Sequence, residues 1–116
     1  MKATREGELA IVKELLDTGA NVNSRNNDGN NALWFACFGN YENLIHLLVK
    51  AKIDLNNQND NGTTALMYSA SSGKAKIVKL LLEAGANYNL KNLDDFKAID
   101  FAATVEVLKL LKNVSY

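Results

Sequence analysis

The chain has 116 residues, which bounds it to one compact domain. Its 47% hydrophobic and 22% charged content is ordinary for a globular protein, and 13 basic residues offset by 13 acidic ones leave no net charge, which argues against a nucleic-acid binder. No apolar run approaches the roughly 18 residues needed to span a bilayer, and one cysteine with one histidine leaves no internal disulfide and few ways to build a metal site.

The N-terminus MKATREGELA lacks the apolar stretch of a secretory leader, and together with the lone Cys37 it implies a reducing, cytoplasmic (intracellular) setting. Met1–Glu6 reads as the remnant of a first helix, broken at Gly7 and followed by a longer helix from Leu9 to Asp17. Ser24–Asp28 is polar and reads as a loop. From Gly29, the phrase GNNALWFAC predicts a short helix. By 100° steps, Leu33, Ala36 and Cys37 face the core, Phe35 and Phe38 point away from it, and Trp34 lies at the edge. Asn40 is the expected stop, since Asn tolerates positive φ better than other non-glycine residues. A second helix carries Leu44-Ile45-His46-Leu47-Leu48, with His46 opposite the apolar side. It ends at Lys52-Ile53. A Lys held at positive φ costs about 1 kcal/mol, so this turn is expected to differ from one built on Gly.

Asn57–Asn61 is the next loop, and GTTALMYSA opens another short helix with a small-residue side, closed by Gly73. Ala75–Glu83 follows with a broad apolar face of Ile77, Val78, Leu80, Leu81 and Leu82, and Gly85 stops it. Leu90–Asp94 is a third loop. The final helix pair lacks three residues between Thr104 and Val105, so its helices are expected to join tightly or run together. Lys109 and Lys112 give the last helix a water-facing side.

These elements repeat. Gly29 and Gly62 are 33 residues apart, as are Leu33, Leu66 and Ile99, then Asn23, Asn56 and Asn89, then Phe35, Tyr68 and Phe101. The phrases IVKELLDTGANVN, LIHLLVKAKIDLN and IVKLLLEAGANYN keep the same spacing. A fixed period of this size marks stacked structural units, because one unit cannot bury its apolar face alone. The units fall at about 1–26, 27–59, 60–92 and 93–116 of a single domain, 1–116.

Residues 62–89 resemble the ankyrin-repeat family, whose phrase is G-x-T-P-L-H-x-A-A-x-x-G, then I-V-x-L-L-L, then G-A-x-x-N. Ala65, Met67 and Ser69 depart from it, and the preceding unit has Asn31 and Trp34 where the family has Thr and His. The hydrogen bond those two share is therefore not expected there. The resemblance implies an all-α solenoid of about three and a half helix-turn-helix units joined by extended β-turn loops. It also implies a protein–protein interaction module without catalysis, acting as a monomer and needing no cofactor, nucleic acid, membrane or small-molecule substrate. Two alternatives stay open. The chain is a fragment of a larger array, or it is a substrate for asparagine hydroxylation at Asn23, Asn56 or Asn89, as some ankyrin domains are.

No catalytic or metal constellation stands out. Cys37 reads as a small core residue, because no second histidine exists to activate it. His46 and the lysines Lys74, Lys76 and Lys79 read as solvated helix surface, and Asp94-Asp95 as a solvated turn. What remains is a surface. Phe35, Tyr68 and Phe101 form an aromatic row along the first helices, with Trp34 and Phe38 at one end; Met67, Ser71, Asp100 and Thr104 are offered beside it. Aromatics are favoured at interface hot spots, although such a row also suits packing between repeats. Asn27, Asp28, Asn30, Asp60, Asn61 and Thr63 flank it and suit recognition of a peptide backbone, and Phe96 adds apolar character at the far end.

Overall fold

The computed structural model describes residue 23 and residues 25–114. The expected helices at Met1–Glu6 and Leu9–Asp17, and Ser24 of the first loop, lie outside the described residues. Five α-helices follow in order: α1 (Ala32–Phe38), α2 (Glu42–Lys50), α3 (Ala65–Ser71), α4 (Ala75–Glu83) and α5 (Val105–Val114), with a 3-10 turn at Ala98–Phe101 before α5. Among the described residues there is no strand, so the fold is all-α, as the repeat predicts.

The short helices begin at side-chain caps 33 residues apart. Asn31 Oδ1 accepts from Trp34 N–H at 3.3 Å, and Thr64 Oγ1 accepts from Met67 N–H at 3.1 Å. Each satisfies one of the N–H groups that a helix start leaves open, which is worth about 1 kcal/mol. In the third unit the Met67 thioether also takes the Thr64 N–H at 3.5 Å, a weak bond in the place of the family's His. In the second unit Asn31 performs the cap alone.

Left-handed residues separate the helices of the first two described pairs: Asn40 at φ 60° and Gly73 at φ 67°. The turns after the longer helices correct one expectation. Lys52 adopts φ 65° in the same kind of turn that Gly85 makes at φ 100°. Lys52 N–H bonds Val49 O at 3.0 Å and Ile53 N–H bonds Leu48 O at 3.1 Å, matching Gly85 to Leu82 and Ala86 to Leu81. Those bonds, and the burial of Ile53 at 4% exposure, hold the lysine there.

The last pair keeps its connection by shortening its first helix. Ala98–Phe101 makes only a 3-10 turn, Ala102 leaves it extended, and Ala103 N–H bonds Ala70 O of the neighbouring unit at 3.1 Å. Thr104 Oγ1 then caps α5 by accepting from Val107 N–H. The two elements therefore do not run together.

The units stack in two layers. α1 packs on α3 and α3 on the 3-10 turn, forming an inner layer, while α2, α4 and α5 each pack behind their partners. Leu33, Cys37, Ile45, Leu48, Leu66, Val78, Leu81 and Leu111 fill the space between. Met67 joins this core at 2% exposure, so it is not part of the surface row.

Candidate functional site

The loops before α1, α3 and the 3-10 turn are three copies of one structure. Asn26, Asn59 and Asn92 each accept two backbone N–H bonds through Oδ1, from the residues two and four further on, at 2.9–3.0 Å. Each tip closes on a left-handed residue: Gly29, Gly62 and Asp95. A Cβ on Gly62 would sit 2.8 Å from Leu93 N, so close tip stacking requires glycine there. The tips pair in series, Asp60 N–H to Asp28 O at 3.0 Å and Leu93 N–H to Asn61 O at 3.1 Å. Side chains of the same period brace the row: Arg25 reaches Gln58 O, and Gln58 reaches Lys91 O. The helix-loop-helix order places this row along one edge of the inner layer.

Beyond the tips, the side of α1 opposite Leu33, Ala36 and Cys37 carries aromatics. Phe35 is 46% exposed and Phe38 58%. The Trp34 ring stacks on Phe38 at 5.3 Å, meets Phe35 edge-on at 5.2 Å and reaches Tyr68 of α3 at 5.2 Å. A second pair, Phe96 and Phe101, meets edge-on at 5.9 Å. The expected row is thus two clusters, one across α1 and α3 and one at the 3-10 turn.

The other candidate residues divide by exposure. Asn27, Asp28, Asp60 and Asn61 lie exposed on the tips, and Thr63 is half-buried. Asn30 is buried, and its Oδ1 accepts from Asn59 Nδ2 at 2.9 Å, so it holds two tips together rather than facing outward. Ser71 is exposed and donates its hydroxyl to Tyr68 O. Phe96 is 48% exposed.

Lys74 corrects the reading of a wholly solvated lysine face. It is half-buried and donates to Cys37 O and Phe38 O at the end of α1, while its ammonium lies 5.2 Å from the Tyr68 ring centroid. Lys76 is exposed and pairs with Glu42 at 3.4 Å; Lys79 and His46 are exposed. No sequence periodicity marks Lys74, because its partners are backbone atoms of another unit.

The structure offers little to chemistry. Burial pushes the Cys37 thiol up to about 11, only partly offset by the Ser69 hydroxyl and the Lys74 charge. The thiol is therefore protonated and a poor nucleophile at neutral pH. Among the described residues no group of His, Cys, Asp and Glu is placed to hold a metal, and no helix is long and apolar enough to cross a membrane. Asn23 and Asn56 each accept a backbone N–H from the next unit at 2.7 Å, so these amides work as ties between loops.

The family model for ankyrin repeats (3 copies) matches residues 1–92. The fold is similar to the crystal structure of the ankyrin repeat domain of Bcl-3, described as a unique member of the IkappaB protein family. The TM-score is 0.84 at 26% identity, over 87% of this chain and 45% of that one. This chain therefore spans under half the length of that domain. Comparison with curated protein sequences finds no match. Ankyrin repeats in general bind other proteins and are non-catalytic. On its three phased loop tips, its two-layer stack of helix pairs and the family match, this chain belongs to the ankyrin-repeat family.

Proposed function

We propose that this chain is a protein-binding module that seats its partner on the inner helix layer and the adjoining loop tips. The observation that carries this reading is the Trp34, Phe35, Phe38 and Tyr68 cluster. Phe35 and Phe38 leave about half of large apolar side chains in water, on the layer where stacked units form a continuous surface. Aromatic anchors of this kind bury much area on contact at low cost in side-chain entropy. In this reading the protein acts inside the cell as a monomer over residues 1–116, without catalysis, cofactor, membrane or nucleic acid. Asn27, Asp28, Asp60, Asn61 and Thr63 contribute polar contacts from the tips.

The test is capture of partners from lysate by the intact protein beside a Phe35→Ser/Phe38→Ser variant and a Trp34→Ala/Phe38→Ala variant. Circular dichroism establishes that each variant is folded. A protein retained by the intact chain and lost by both variants supports the reading. Retention by all three contradicts the assigned surface.

A further inference from the structure

We propose, resting on the protein-binding reading, that the inner layer takes an extended basic segment of its partner, held by two apolar anchors about six residues apart.

The first observation is charge. The chain is neutral as a whole, yet among the described residues the charges are segregated. Exposed aspartates line the tip edge: Asp28, Asp60, Asp94 and Asp95, joined by Asp100 on the 3-10 turn. The inner helices α1 and α3 carry no charged residue. Cations on that edge are already engaged or fewer. Arg25 donates to Gly29 O and Gln58 O, Lys91 pairs with Asp95 at 3.5 Å, and Lys97 is half-buried. Among the described residues, Asp28, Asp60 and Asp94 make no ion pair. The outer helices and their turns carry the opposite excess, with Lys50, Lys52, Lys76, Lys79, Lys109 and Lys112 exposed against Glu42, Asp54, Glu83 and Glu106. An acidic edge beside an uncharged aromatic surface is complementary to a segment that carries both Lys or Arg and apolar residues.

The second observation is the division of the aromatics. One anchor site is the Trp34 and Phe38 pair on α1, backed by the half-buried Tyr68 of α3; the other is Phe96 and Phe101 at the 3-10 turn, with Leu93 76% exposed on the same tip. The helix α3 lies between α1 and the 3-10 turn. Two helix spacings of 8–10 Å put the sites about 20 Å apart. An extended chain covers that in about six residues at roughly 3.3 Å each, whereas a helix needs about thirteen. Asp60 and Asn61 lie on the tip between the two sites, where the basic residues of the segment would pass.

The experiment uses dye-labelled synthetic peptides of about fourteen residues and the full chain. One peptide has two leucines six positions apart with lysines between them. A second replaces the lysines with glutamates, a third moves the leucines to three apart, and a fourth is a helix-forming basic peptide with leucines thirteen apart. Fluorescence anisotropy should show the first binding at least about tenfold tighter than the other three, and weakening as salt rises. Asp28→Asn/Asp60→Asn/Asp94→Asn should cost about tenfold and flatten that salt dependence, since Asn is well tolerated in such turns. Equal binding of the acidic peptide, tighter binding of the helical one, or an unchanged triple variant overturns the proposal. So does sedimentation showing that the acidic edge is covered by a second copy of the chain that the basic peptide does not displace. A captured partner lost on Trp34→Ala/Phe38→Ala but held by the triple aspartate variant overturns this inference and leaves the protein-binding reading standing.

Discussion

Lys74 Nζ donates to the carbonyl oxygen of Cys37 at 2.8 Å, closing the end of a helix that lies 37 residues back in the chain. Cys37 O also accepts the Asn40 N–H at 3.2 Å, and the negative end of the helix favours a cation there. The same ammonium faces the Tyr68 ring and contacts Phe38 O at 2.9 Å. One side chain thus ties the exposed end of the aromatic cluster to the start of α4, the second helix of the next pair. Lys74→Met keeps the stem and removes the donor. It should lower stability by about 1 kcal/mol and shift the emission of Trp34, measured by thermal melting and fluorescence.

Lys52 occupies the left-handed conformation that Gly85 occupies one unit later. Lys52→Gly relieves that strain, against the extra freedom it gives the unfolded chain. The expected gain is roughly 0.5–1 kcal/mol in urea unfolding. A loss of stability would mean that the lysine stem contributes packing outside the turn.

Ser69 stands where the family has Ala, and its buried hydroxyl meets only the Cys37 thiol, a weak partner that falls short of a well-formed hydrogen bond. An unmet hydroxyl in the core costs about 1–3 kcal/mol. Ser69→Ala should therefore stabilise the fold, with a higher melting temperature. A destabilised variant would show that the weak contact with the Cys37 thiol matters more than the unmet hydroxyl.

Cys37 should resist alkylation in the folded chain. Its thiol is raised from 9.0 to about 11 by burial. Well below pH 9 the thiol is neutral in both states. Between pH 9 and 11 only the unfolded chain loses the proton, so stability should fall as pH rises through that window. Cys37→Ala should flatten this alkaline decline in denaturant midpoints taken from pH 8 to 11.

Much of this was legible in the sequence. The 33-residue period located the helix pairs, and the 100° step placed Leu33, Ala36 and Cys37 inward with Phe35 and Phe38 outward, because both patterns arise from local geometry. Contacts between units were harder to read. A helical wheel puts Met67 at the surface because it does not show the neighbouring layer that covers it. The polar tip sequence makes Asn30 look like a contact residue, yet its amide oxygen accepts from Asn59 of the next tip. The braces from Arg25 and Gln58 end on backbone carbonyls, which carry no sequence signal. Asn26, Asn59 and Asn92 did repeat at 33 residues and could have been assigned to the tips by their ability to mimic a turn.

The most direct test of the account uses Trp34, the chain's one tryptophan, which sits inside the aromatic cluster. A captured partner, or the basic anchor peptide, is titrated against the intact protein while Trp34 emission and its quenching by acrylamide are followed. Seating of the partner on the aromatic cluster should give a blue shift and protection from the quencher that saturate with the same affinity as binding measured by anisotropy. Saturated binding with unchanged Trp34 emission and unchanged quenching would place the binding surface elsewhere and contradict that seating.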